Sequence, residues 1–144
     1  MLEIYQKTLP TNVTFKGMGL HSGKSSTINL FPAKEDTGIV FKRVDINRNN
    51  LVHANFKNVT SARLCSTLEN SHGVKVSTVE HLLAALYICG VDNALVEINN
   101  EEVPIMDGSA KEFLEVLNEL EIVNLPKKRK SVCKNVQVCQ SQKR

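Results

Sequence analysis

Apolar positions recur along this 144-residue chain with two different periods, and the change of period divides it. Through the first seventy residues they alternate or form short runs bounded by Gly, Pro and Asn or Asp, which is the pattern of short strands. Residues 27–31 and 38–44 are the clearest strands, with 32–38 as a hairpin loop between them. Residues 51–56 and 64–68 are weaker strands. From Ser77 the period becomes helical. Ser77 and Glu80 have the S-x-x-E spacing of a capping box, and Gly90 suits the left-handed position past a helix end, so the spacing predicts a helix over 77–90. Val79, Leu82, Leu83 and Leu86 share a face, and Ala84, Ala85 and Ile88 make the rest apolar as well, which predicts a buried, central helix.

A strand over 94–98 follows, then a second helix from Ser109 to about Glu121. Ser109 and Glu112 repeat the capping-box spacing, and Phe113, Leu114, Leu117 and Leu120 give this helix a single apolar face. Strands, helix, strand and helix without strict β-α-β alternation predict an α+β fold, a two-layer sandwich of a mixed or antiparallel sheet with two helices. The patterning stops at Asn124. Residues 1–125 read as one domain, and 126–144 read as a basic linker or tail, with a faint alternation of Val132, Val136 and Val138 that could open a further strand.

Composition narrows the picture. Hydrophobic residues make up 42% and charged residues 23%, as in ordinary globular domains, and no apolar run approaches the roughly 18 residues of a membrane span. The first residues lack the basic-then-apolar pattern of a secretory signal, so the expected location is cytoplasmic. Cys65, Cys89, Cys133 and Cys139 form no C-x-x-C pair, and the ordinary reading of each is a small buried hydrophobe. The net charge of +3 belongs to the tail: seven of the 18 basic residues lie in 127–144, which has no acid, leaving 11 basic against 15 acidic residues before it. A mildly acidic body without Trp argues against a nucleic-acid partner.

The segment Gly17-Met-Gly-Leu-His-Ser-Gly-Lys-Ser25 resembles a phosphate cradle only superficially. A P-loop needs four residues between its first Gly and the Gly-Lys-Ser, whereas Gly19 leaves three and Gly17 leaves five. The dinucleotide fingerprint fails at Ser22, where its third Gly belongs, so the segment reads as a glycine-rich turn. Glu80 and His81 put a carboxylate and an imidazole near one spot on the first helix, but Ala85 stands where a zincin helix has its second His. Glu80 as a capping residue and His81 as a core histidine are equally consistent with the residues alone. His21, His53 and His72 show no ligand spacing, and the basic run 127–130 reads as a solvated linker.

Four strings in order over about residues 5–125 resemble the UDP-3-O-acyl-N-acetylglucosamine deacetylase family: Gly17-Met-Gly-Leu-His-Ser-Gly-Lys24, Ser77-Thr-Val-Glu-His-Leu82, Val91-Asp-Asn93 and Val103-Pro-Ile-Met-Asp-Gly-Ser109. The resemblance implies a cytoplasmic zinc amidase of the committed step of lipid A synthesis in Gram-negative bacteria. It implies two similar α+β domains with the active site between them, of which this chain resembles the first. On that reading Glu80 is the catalytic general base, His81 the first zinc ligand, and Leu64 and Cys65 line the substrate site, with His21 nearby.

The resemblance further implies that the other zinc ligands, a His and an Asp, and the acid for the leaving amine come from a second domain. One imidazole does not hold a catalytic Zn²⁺. The expectation is therefore a truncated or split form, inactive alone, acting on UDP-3-O-acyl-GlcNAc with a second-domain chain as partner. The alternative is a non-catalytic module that binds a UDP-sugar or a full-length homologue.

Overall fold

Strand alternation builds the first layer. The computed structural model describes residues 4–130. In chain order these form β1 (Tyr5–Thr8), β2 (Val13–Met18), β3 (Ser25–Pro32), β4 (Ile39–Arg43), β5 (Leu51–His53), β6 (Val59–Ser61), β7 (Thr67–Glu69), β8 (Lys75–Ser77), α1 (Glu80–Ile88), β9 (Ala94–Ile98), α2 (Lys111–Asn118) and β10 (Val123–Lys128). A five-stranded sheet runs β2-β3-β9-β4-β5, antiparallel except for the parallel β4–β9 pair, with β6-β7-β8 and β1-β10 as smaller sheets. Ile28 and Leu30 of β3, Phe41 of β4 and Ala94, Val96 and Ile98 of β9 alternate into one core, where they meet Leu82, Ala85 and Leu86 of α1 and Phe113 and Leu117 of α2. The rings of Phe15 and Phe113 meet edge to face at 4.9 Å, tying the sheet edge to α2. The fold is the α+β class expected.

The weak strands shrink. Pairing ends at His53, and the chain turns through a short 3₁₀ segment at Phe56–Asn58, capped by the Asn55 side chain. Residues 64–66 form a loop, and β7 begins at Thr67.

Helix α1 starts later than its capping-box spacing predicts. Ser77 is the last residue of β8: its N–H donates to Glu101 O at 2.8 Å and its carbonyl accepts from Val103 N at 3.1 Å. A residue held in that pairing cannot cap a helix, and Glu80 instead accepts from Ser66 N at 3.0 Å. The second box is half right. Ser109 Oγ accepts from Lys111 N at 3.1 Å, while α2 begins at Lys111 and ends at Asn118.

The other end of α1 follows the pattern. Gly90 has φ +74°, its N–H donates to Tyr87 O at 3.0 Å, and Val91 N donates to Leu86 O at 2.9 Å, the paired bonds of a Schellman stop. The helix is not buried all round. Leu82, Ala85 and Leu86 face the core, but Tyr87 and Ile88 are 85% and 65% exposed.

The basic run is not a free linker. β10 continues through Lys128 and pairs with β1, and Pro126 lies where the register shifts and no ladder N–H is needed. Beyond it, Arg129 Nε donates to Asp92 Oδ2 at 2.9 Å and Nη2 to Gly90 O at 2.9 Å. Asp92 Oδ2 also accepts from Lys7 N at 2.7 Å. Buried Asn93 accepts from Gly38 N and donates to Gln6, so Val91-Asp-Asn93 is a latch between the end of α1 and the β1-β10 pair. The expected strand of Val132, Val136 and Val138, and Cys133 and Cys139, lie outside the described residues.

Arg129→Ala removes both hydrogen bonds and is expected to lower stability by about 1–2 kcal/mol. Hydrogen exchange should speed up across β1 and β10 while β3 and β9 keep wild-type protection. Unchanged exchange in β10 would show that the strand holds without the latch.

Candidate active site

The site begins with a backbone strain. Thr78, a β-branched residue, has φ +57° between β8 and α1, a conformation that ordinarily belongs to Gly or Asn. Such strain amounts to about 1–3 kcal/mol and persists only where surrounding contacts hold it. Here the contact is Glu102. Thr78 Oγ1 donates to Glu102 Oε1 at 3.0 Å, and both residues are buried.

The same carboxylate organises the glycine-rich turn. Glu102 is 2% exposed; its Oε1 accepts from His21 N at 2.9 Å and its Oε2 from Ser22 N at 2.8 Å. Ser26 Oγ donates to Glu102 O at 2.6 Å. Backbone amides that would cradle a phosphate in a P-loop are therefore committed to an internal carboxylate. The glycines follow from this approach: a Cβ on Gly19 would stand 2.4 Å from Glu102 Oε2, and one on Gly17 would stand 3.0 Å from Pro104 Cβ. Ile105 N donates to Met18 O at 2.9 Å, completing the join between the turn and the 103–109 segment. Burial alone pushes the Glu102 carboxyl up, but the bonds from His21, Ser22 and Thr78 outweigh it and hold the pKa below its ordinary value of 4.5.

From Thr78 the chain enters α1, whose first two residues are Glu80 and His81. Glu80 Oε2 accepts from Ser66 N, and Val79 N donates to Ser66 O at 3.4 Å, so the 64–66 loop is docked on the helix start. Glu80 Oε1 has no hydrogen bond among the described residues. His81 Nδ1 is buried and has no partner, the one such side-chain atom among the described residues. An orphaned ring nitrogen is costly unless a donor or a cation arrives from elsewhere.

His21, Leu64 and Cys65 line one cavity of about 320 Å³, with Ser61, Arg63 and Ser77. Glu80 and His81 are not in its wall; Glu80 joins it through Ser66, the residue after Cys65. His53 and His72 line a separate cavity of about 500 Å³ among asparagines. Among the described residues no three His, Cys, Asp or Glu side chains gather as a metal site. His81 thus fits a metal as a single donor, and the described residues do not supply the rest of a coordination shell.

Glu102 was not among the candidates read from the sequence. Two adjacent acids in a polar stretch, Glu101 and Glu102, resemble a solvated loop, and only the glycines spaced to admit a close neighbour hint otherwise.

Fold and site define a two-layer α+β domain that presents an adjacent carboxylate and imidazole at a helix start, tied to the rim of an open cavity. The sequence model of LpxC, UDP-3-O-acyl N-acetylglycosamine deacetylase, matches residues 6–144, and the chain belongs to that family. It is 49% identical over 126 residues to the UDP-3-O-acyl-N-acetylglucosamine deacetylase of Geotalea uraniireducens (strain Rf4), covering 88% of this chain and 41% of that protein. It is 42% identical over 137 residues to the protein of the same name from Vibrio cholerae serotype O1, covering 94% and 45%. The chain therefore spans less than half the length of these curated relatives. No described helix is long and apolar enough to cross a membrane.

Two predictions follow from Glu102. Gly19→Ala forces a Cβ against the carboxylate and is expected to destabilise the fold by about 1–3 kcal/mol in urea denaturation. Because the folded pKa of Glu102 is lowered, its contribution to stability is complete above its ordinary value of 4.5 and is lost as pH falls through the lowered folded value. Urea midpoints measured downward from neutral pH should fall less steeply in Glu102→Gln than in wild type between pH 4.5 and the lowered folded value.

Proposed function

We propose that this chain supplies the general base and one zinc ligand of a UDP-3-O-acyl-N-acetylglucosamine deacetylase, the rest of whose site lies outside the described residues. The observation that carries the reading is the buried, unpartnered Nδ1 of His81 beside Glu80. Family membership adds the reaction class: the relatives are named for removing an acetyl group from UDP-3-O-acyl-N-acetylglucosamine.

His81 would hold the metal together with ligands from a second domain, a His and an Asp by family resemblance. Zinc bound there supplies Lewis-acid activation of a water. Glu80 would act as the general base through Oε1, taking a proton from the water that attacks the acetamide carbonyl, while Oε2 stays on Ser66 N and fixes the carboxylate. His21, Leu64 and Cys65 line the substrate's approach. A second-domain histidine protonates the leaving amine. The product is the free 2-amino sugar nucleotide and acetate, the committed step toward lipid A in the cytoplasm of a Gram-negative cell.

Mixing this chain with a polypeptide equivalent to the remaining part of the Geotalea relative tests the reading, with acetate release from UDP-3-O-acyl-N-acetylglucosamine as the assay. Release is expected from the mixture and not from either piece. Glu80→Gln keeps an acceptor for Ser66 N, so it should fold normally and lower the rate by about 10²–10⁴-fold. Binding of substrate without release by any mixture would favour a non-catalytic module instead. Release unaffected by Glu80→Gln would remove Glu80 as the base.

A further inference from the structure

The Glu102 carboxylate bonds to two segments, the glycine-rich turn that carries His21 and the residues leading into α1, and one of its oxygens serves both. Oε1 accepts from His21 N of the glycine-rich turn and from Thr78 Oγ1, two residues before Glu80. We propose that Glu102 is a positioning residue that sets the His21 turn and the Glu80–His81 turn relative to each other through this shared oxygen. The inference rests on the proposed function only in naming Glu80 and His81 as the reacting pair.

Three observations carry it. First, the arrangement is over-determined around Glu102 in a way packing alone does not require. Its N–H donates to Asn100 Oδ1 at 2.8 Å, its carbonyl accepts from Ser26 Oγ at 2.6 Å, and residues 102 and 77 pair as a β-bridge. The carboxylate therefore projects from a fixed backbone. Second, Thr78 is strained, and the Oγ1–Glu102 bond is its buried side-chain tie. Because a left-handed residue changes the direction of the chain sharply, the φ of +57° at Thr78 determines the angle at which α1 leaves β8. Releasing Thr78 would let the first turn of α1 relax toward ordinary backbone, carrying Glu80 and His81 with it. Third, Gly19 admits the carboxylate to within 2.4 Å of where a Cβ would be, so the turn carrying His21 is shaped around this contact.

The logic is that of a two-armed clasp. One arm, Ser22 N and His21 N, holds the rim residue His21. The other, Thr78 Oγ1, holds the start of α1. Removing the hydroxyl of Thr78 cuts one arm only, whereas altering the carboxylate cuts both.

The chain has four histidines, so their ring resonances can be followed individually by proton–carbon NMR of the intact 144-residue protein at one fixed pH. In Thr78→Val the His81 resonance is expected to shift while His21, His53 and His72 stay at their wild-type positions. In Glu102→Gln both His81 and His21 should shift, with His53 and His72 again unmoved. Thr78→Ser, which keeps the hydroxyl, should restore the wild-type His81 position. A merely structural role predicts lower thermal stability with all four resonances in place; that result in folded Thr78→Val would overturn the proposal, even if Glu102→Gln does not fold. A shift in Thr78→Ser equal to that in Thr78→Val would also overturn it, because the methyl and not the hydroxyl would then be responsible. None of these readings depends on acetate release. A failed deacetylation assay with the expected resonance shifts removes the proposed function and leaves the clasp; the converse removes the clasp and leaves the function.

Discussion

A carboxylate taken out of water must find hydrogen bonds, and Glu102 finds them in three places that would otherwise have no reason to meet. Two backbone amides of the glycine-rich turn and the hydroxyl of Thr78 converge on it from segments about eighty and twenty-four residues away in sequence. The rest of the site's geometry depends on that convergence. A side chain on Gly19 would meet the Ser22 hydroxyl at 2.3 Å and the Glu102 carboxylate at 2.4 Å. Thr78 holds an unfavourable φ because its hydroxyl is anchored there. Helix α1 therefore begins at Glu80, three residues later than its capping-box spacing implies, and its first turn faces the 64–66 loop.

This arrangement also explains why a segment resembling a phosphate cradle is nothing of the kind. The amides that would bind an anion already bind one, and it is covalently part of the chain. Anion recognition at a turn depends on which groups remain unpaired, and here His21 N and Ser22 N are both satisfied. Among the described residues the one buried side-chain atom left without a hydrogen bond is His81 Nδ1, and that asymmetry directs attention from the glycine-rich turn to the helix start. Glu80, its neighbour in sequence, keeps one carboxylate oxygen without a hydrogen bond among the described residues.

Much of the fold was legible because it is encoded locally. β3 and β9 alternate cleanly, β4 is a short apolar run, α2 has one apolar stripe, and Gly90 marks a helix stop that the Schellman bonds realise. What was not legible depends on partners distant in sequence. Ser77 has the residue type and spacing of a helix cap, but residues 101–103 recruit its backbone into a β-bridge. Residues 123–128 contain Pro126 and basic side chains, yet β1 supplies an edge that tolerates both, and Asp92 receives Arg129. The outer face of α1 is apolar for reasons the helix itself does not reveal, and it is exposed among the described residues. Within the site, Glu80 and His81 were readable as a pair, and His21, Leu64 and Cys65 do share a cavity. Glu102, which connects them, was hidden because a buried acid and a solvated acid look alike until the donors around it are known.

On the function proposed above, His81 is one zinc ligand of a site that other residues complete. Zinc content per chain, measured by elemental analysis after gel filtration in zinc-free buffer, tests it most directly. The purified 144-residue chain is expected to retain far less than one zinc per molecule, and addition of the remaining part of the Geotalea relative to raise retention to near one, in a manner abolished by His81→Ala. Near-stoichiometric zinc on the chain alone, or retention in the mixture that survives His81→Ala, would contradict it.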